Sequence, residues 1–219
     1  MRFATQPNEP DAGLTTNRIE AFSDGVFAIA ITLLILEIRL PTQTEASHVS
    51  VAASLLAIWP SYFAYIFSFV TVGIYWVNHH YIFKIYQRTN HLFNLLNVFF
   101  LMCISFLPFP TEVLGSHLLA VNEQRTTIAF HIFGLLLPAL SWLLMWLYGS
   151  SNYRLIDTNL SPRFVRYLTR QYGLSPVIYL IALIITLMQP LAGLAIAVGL
   201  TFLYLLPSKP PVYINSPTL

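Results

Sequence analysis

The chain has 219 residues, of which 56% are hydrophobic, 15% aromatic and only 9% charged, with a mean hydropathy of +0.66. So little polar surface excludes a water-soluble domain, and several apolar runs approach the ~20 residues that cross ~30 Å of hydrocarbon, so this is an integral membrane protein. The net charge of +2 comes without a Lys/Arg cluster interleaved with aromatics, which argues against nucleic acid as a partner, and the single Cys103 excludes an intramolecular disulfide.

Residues 1–17 form a polar arm without the apolar core and cleavage site of a signal peptide. The first span is predicted over 18–40, ending at Pro41, and a polar connection with Glu45 and His48 leads to a second over 51–77. A third covers 92–109 and stops at the Pro-Phe-Pro of 108–110; the fourth covers 126–148, with a kink expected at Pro138. The segment Ser161–Gly173 has two readings. It is either a short interfacial amphipathic helix, with Phe164, Tyr167 and Leu168 down and Arg163, Arg166 and Arg170 at headgroups, or a basic loop. The fifth and sixth spans, 174–189 and 191–206, form a tight hairpin through MQPLAG, and 207–219 form a tail. The expected fold is therefore an all-α, six-span transmembrane bundle over 18–206, with no internal repeat.

Orientation follows the placement of Lys and Arg. Arg2, Arg18, Lys84, Arg88, Arg154, Arg163, Arg166, Arg170 and Lys209 fall on one side, and only Arg39 and Arg125 on the other. The positive-inside rule puts both termini in the cytoplasm of a multi-pass membrane protein, as an even span count requires.

The second span contains TVGIYW (Thr71–Trp76), which resembles the TVGYG filter of tetrameric potassium channels. That filter is an extended loop behind a pore helix. Here the residues lie inside a continuous apolar helix and the second glycine is missing, so the likeness is set aside.

The stretch AFSDGVFAIAITLLILEIRLP (Ala21–Pro41) carries an aspartate near the start of an apolar run. At about 100° per residue, with Ile29 at zero, Leu33 lies at about +40° and Leu36 at about −20°, with Thr32 beside them at about −60°. On the same wheel Ser23 and Asp24 fall on the back, at about +120° and about −140°. An aspartate facing lipid costs several kcal/mol, so that side must meet protein. Its candidate partners are Arg18 and Ser23 nearby, and Trp76, Asn78, His79, His80, His91, Asn94 and Asn97 at the same end of the second and third spans.

On periodicity alone, Ile29, Leu33 and Leu36 read more readily as core or lipid-facing surface, and His79–His80 as an interfacial pair. Two histidines and Asp24 lack the spacing of a metal site. No nucleophile elbow, phosphate loop or paired catalytic carboxylates are present, so neither an enzyme nor a cofactor is expected.

Arg18 followed by FSDG (Phe22–Gly25) and VFAIAITLLILEI resembles the R-x-x-x-F-S-D signature of the transmembrane protein 175 family of potassium channels. WVNHH after the second span and FLPFPT (Phe106–Thr111) also look like that family's pattern, and the resemblance spans all six predicted helices. Animal members carry two six-span repeats; this chain has one, like the prokaryotic branch. The resemblance implies a homotetramer in a prokaryotic cell membrane, with the first helix of each copy lining a potassium-conducting pore. It implies that Ile29, Leu33 and Leu36 form hydrophobic constrictions and Thr32 a polar selectivity layer. It also implies an inter-helix network of Arg18, Phe22, Ser23, Asp24, Trp76 and His79, with His80 as the alternative histidine. Glu37 is either a fourfold outer acidic ring or a partner of Arg39.

A passive, potassium-preferring channel is the leading expectation. A proton-conducting channel or proton-coupled transporter is the alternative, since buried His and Asp are typical of proton relays. No ladder of ionisable groups crosses the midplane to support it. A non-transporting scaffold predicts no flux after reconstitution.

Overall fold

The structure, a computed structural model, describes residues 16–40 and 50–214. The expected N-terminal arm up to residue 15, Pro41, the polar connection with Glu45 and His48, and the last five residues of the tail lie outside the described residues. All described elements are helical, joined by isolated bridges between Tyr86 and Ile156 and between Leu160 and Tyr213.

Helix α1 spans Asn17–Leu33 and tightens into a 3₁₀ turn over Leu34–Glu37 before Ile38 becomes extended. The expected second span is two helices, α2 (Val51–Ala57) and α3 (Trp59–Phe83). Pro60, which has no N–H and disfavours helical geometry in its predecessor, stands just past the break at Ile58. Helix α3 then runs on to Phe83, so WVNHH is inside the helix and not beyond it.

Helix α4 (His91–Phe106) starts under an Asn90 cap, whose Oδ1 accepts from Phe93 N at 2.9 Å. The expected stop at Pro-Phe-Pro does not occur. Pro108 and Pro110 sit in the first turn of α5 (Pro108–His117), where missing N–H groups cost nothing, and the chain passes through Leu107 almost unbroken. Helix α6 (Gln124–Ser150) carries Pro138 in its interior, as expected.

Helix α7 (Pro162–Thr186) replaces both readings of Ser161–Gly173. Phe164, Leu168 and Tyr172 recur at a four-residue spacing and are buried, so this segment is the first half of a spanning helix docked on α6. The Trp146 indole N–H donates to Thr169 Oγ1 at 2.9 Å across that contact, and Tyr172 meets Trp142 and Trp146 edge to face. Helix α8 (Pro190–Tyr204) returns along α7. A Cβ on Gly193 would collide with Thr186 Oγ1 and stand 2.6 Å from the Ala182 carbonyl, so only glycine lets the two helices come this close.

Among the described residues five segments are long and apolar enough to span: α1 with its 3₁₀ turn, α3, α4 with α5, α6 and α7. The sixth expected span, α8, has 15 residues and reaches only about 22 Å. Helix α6 packs on α4, α5, α7 and α8 and is the centre of the bundle. Its most apolar window is 61% buried, against 22% for that of α1, which packs mainly on α3 and α4. Helix α1 is thus held on one side.

Candidate functional site

The one-sided packing of α1 divides its residues cleanly. Ser23, Phe27, Ala30 and Leu34 form its buried face at helical spacing. Opposite them, Ile29 is 62% exposed, Leu33 42% and Leu36 63%, and Phe22 is exposed on the same flank. Thr32 lies at the middle of this outward arc, exposed, with its hydroxyl shared between the Ala28 and Ile29 carbonyls at 2.9 Å each. Its oxygen lone pairs therefore remain free for a ligand from outside the helix. Glu37 lies 3.7 Å from Arg39, the second of its two expected partners.

The buried face is fixed by a chain of side-chain hydrogen bonds. Asn97 of α4 donates through Nδ2 to Ser23 Oγ at 3.0 Å, and its Oδ1 accepts from His79 Nε2 of α3 at 3.0 Å. That geometry makes His79 the Nε2–H tautomer, since an amide oxygen can only accept. The imidazole is 1% exposed and lies in an aromatic box. It stacks on Phe83 at 4.3 Å and meets Phe27 edge to face at 5.5 Å, with Phe100 and Trp142 completing the box. One polar contact per helix thus joins α1, α3 and α4 inside an otherwise apolar core.

Asp24 is on the edge of this face and partly outside it. It accepts from Trp76 Nε1 at 2.9 Å, and both residues are exposed in the isolated protomer. His79 and Asp24 are therefore served by different partners. Arg18 is exposed and has no hydrogen bond or ion pair among the described residues, and His80 is exposed on α3. Among the described residues the expected network of Arg18, Phe22, Ser23, Asp24, Trp76 and His79 divides into two separate links, Trp76–Asp24 and His79–Asn97–Ser23. Among the described residues no group of three His, Cys, Asp or Glu side chains could hold a metal ion.

A second polar junction joins α3, α5 and α6. Ser68 and Thr111 hydroxyls are 2.6 Å apart, and His131 Nδ1 donates to the Pro110 carbonyl at 3.1 Å while its ring lies against Phe67. Sequence reasoning singled out neither. Asn97 was signalled only as one polar group among several, although an amide inside LLNVFF must find a partner when buried. Thr71 of TVGIYW bonds its own helix at the Phe67 carbonyl, as an ordinary helical threonine does.

Known proteins resemble this chain in sequence and in fold. The model of a family described as "Endosomal/lysosomal potassium channel TMEM175" matches residues 18–108, which include α1, α3 and α4. A protein named potassium channel from Chamaesiphon minutus is 42% identical over 168 residues, 76% of this chain and 82% of that one. The human protein named endosomal/lysosomal proton channel TMEM175 is 31% identical over 150 residues, 66% of this chain and 29% of its own length. A crystal structure described as a lysosomal potassium-selective channel TMEM175 homolog from Chamaesiphon minutus superposes with a TM-score of 0.78 and 36% identity, covering 87% of this chain and 96% of that one. With its helical bundle, its membrane-spanning segments and these relatives, the chain belongs to the TMEM175 family of cation channels and is not an enzyme.

Proposed function

We propose that four copies of this chain assemble around their α1 helices into a passive, potassium-preferring channel. Both termini lie in the cytoplasm of a prokaryotic cell membrane. The supporting observation is the exposed stripe of Ile29, Leu33 and Leu36, set apart from the face that Ser23, Phe27, Ala30 and Leu34 bury. Four such stripes about one axis make rings of branched apolar side chains, and a narrow apolar ring excludes hydrated ions by dewetting. Thr32 adds a hydroxyl layer whose oxygen can replace part of a cation's hydration shell. Glu37 stands at the far end, where its Arg39 pairing competes with a fourfold acidic ring. Arg18, Phe22, Asp24 and Trp76 serve the contact between copies, and Ser23 and His79 hold the helix within its own copy. Relatives named potassium channels support the choice of ion.

The curated vertebrate relatives are named proton channels, which favours proton conduction as the second reading. One experiment separates the two. The purified protein is recorded in planar bilayers under independent potassium, sodium and proton gradients, and its mass is measured in detergent. A tetramer whose reversal potential follows potassium supports the proposal. A reversal potential that follows protons selects the second reading, and a smaller assembly removes the shared pore.

A further inference from the structure

We infer that Arg163, Arg166 and Arg170 of α7, together with Lys209 of the tail, form a binding site for the phosphate of an anionic phospholipid headgroup. The inference requires only that the chain is embedded in a membrane; it does not depend on the pore.

The arginines are spaced by three and four residues, so they share one side of α7. Because Phe164, Leu168 and Tyr172 bury the opposite side, all three guanidinium groups are turned outward and are exposed. They line a surface cavity of about 280 Å³ together with Tyr167. Among the described residues none of them is in an ion pair with a carboxylate. Lys209 is brought in from the tail, with its Nζ 4.8 Å from the centre of the Tyr167 ring. It is held there by structure. The Tyr81 hydroxyl donates to its carbonyl at 2.6 Å, and the tail is tied to the start of α7 by Ser161 N to Val212 O and Ile214 N to Asn159 O, at 2.8 Å each. Three arginines thus line a recess, with Lys209 beside it on the Tyr167 ring, and among the described residues no acid is paired with them.

Depth selects the ligand. Helix α7 has 25 residues and is roughly 37 Å long, more than the ~30 Å of hydrocarbon, so its basic first turns emerge at headgroup level. There the long arginine stems lie along apolar surface while the guanidinium groups reach the phosphates. Guanidinium forks bind phosphate oxygens in pairs, and a headgroup is the phosphate present at that depth.

The test measures lipid retention by the full-length protein purified in a neutral detergent, after incubation with phosphatidylglycerol or phosphatidylcholine. Wild type is expected to retain phosphatidylglycerol in preference to phosphatidylcholine. At about fivefold per basic residue, Arg163→Gln/Arg166→Gln/Arg170→Gln together should weaken retention about a hundredfold. The corresponding triple Lys variant, which keeps the charge but not the paired guanidinium bonds, should fall between wild type and triple Gln. Arg170→Gln alone, expected to lose about fivefold, provides a milder variant if the triple Gln protein does not fold. Equal retention of both lipids by wild type, or unchanged retention in the Gln variants, would each overturn the site. Displacement of the lipid by equimolar soluble glycerophosphate would replace the headgroup with a free anion and overturn it too.

Discussion

Trp76 donates its indole N–H to the Asp24 carboxylate across 2.9 Å, joining the first turns of α1 to the last third of α3. The aspartate that looked costly near the start of an apolar helix is thus neither buried nor alone. Its partner is a large aromatic that brings one polar atom to the meeting point and offers the rest of its surface to whatever packs there. Trp76→Phe keeps that surface and removes the donor. A loss of about 1 kcal/mol is expected from a hydrogen bond to an exposed charged group, read as a lower melting temperature in detergent. Asp24→Asn should cost less than Trp76→Phe, because the amide oxygen still accepts.

Asn97 links Ser23 to His79, with both bonds at 3.0 Å in the core. Asn97→Leu leaves two buried polar groups without partners and should destabilise the fold by about 1–3 kcal/mol. Ser23→Ala removes one acceptor and should cost about 1 kcal/mol. A double-mutant cycle on the two, followed by thermal unfolding, should give strong coupling, because each single change already breaks the same bond.

The α7–α8 contact depends on one missing side chain. Gly193→Ala places a methyl against Thr186 Oγ1 and the Ala182 carbonyl, a backbone atom that cannot move aside, so a loss of about 1–3 kcal/mol is expected. Gly199→Ala meets nothing within 4 Å and should stabilise the same helix by about 0.5–1 kcal/mol. Opposite shifts in melting temperature for two alanines on one helix would check both.

For the pore, Ile29→Asn and Leu36→Ala should raise the basal cation flux into liposomes several-fold, since each makes the proposed ring wetter or wider. Both positions are exposed in the protomer, so folding should be little affected. Fluorescence-quench flux assays, run beside a mass measurement of the assembly, check this; unchanged flux in an intact assembly would remove α1 from the conduction path.

The spans were legible in the sequence because ~20-residue apolar runs have few alternative fates in a membrane protein. What escaped was the role of proline and of buried polar groups. Pro60 splits a run that hydropathy joins, and Pro108 and Pro110 open a helix where they were read as closing one. In each case the outcome depends on which turn of a helix the ring occupies, which residue type alone does not state. For the site, wheel periodicity correctly put Ile29, Leu33 and Leu36 on one side of α1 and Ser23 on the other. It could not say that Asn97, and not Asp24, answers His79. The partner of a buried imidazole is decided by how two helices cross, and no spacing along either helix encodes that. His131 was missed for the same reason: its acceptor is the Pro110 backbone carbonyl, on another helix.

The 3₁₀ turn at Leu34–Glu37 sets the angular position of the tip of α1. In that geometry residues three apart eclipse, so Leu36 stands directly over Leu33 and does not trail it as on a regular α-helix. Rewinding this short stretch to α geometry would swing Leu36 through about 60° and shorten the tip by about 0.5 Å per residue. Ser23, some two to three turns below and anchored through Asn97, need not move at all. A helix clamped at one end and convertible at the other can turn its outermost leucine while the Ser23–Asn97 anchor stays in place, with Leu34 repacking against α3 and α5.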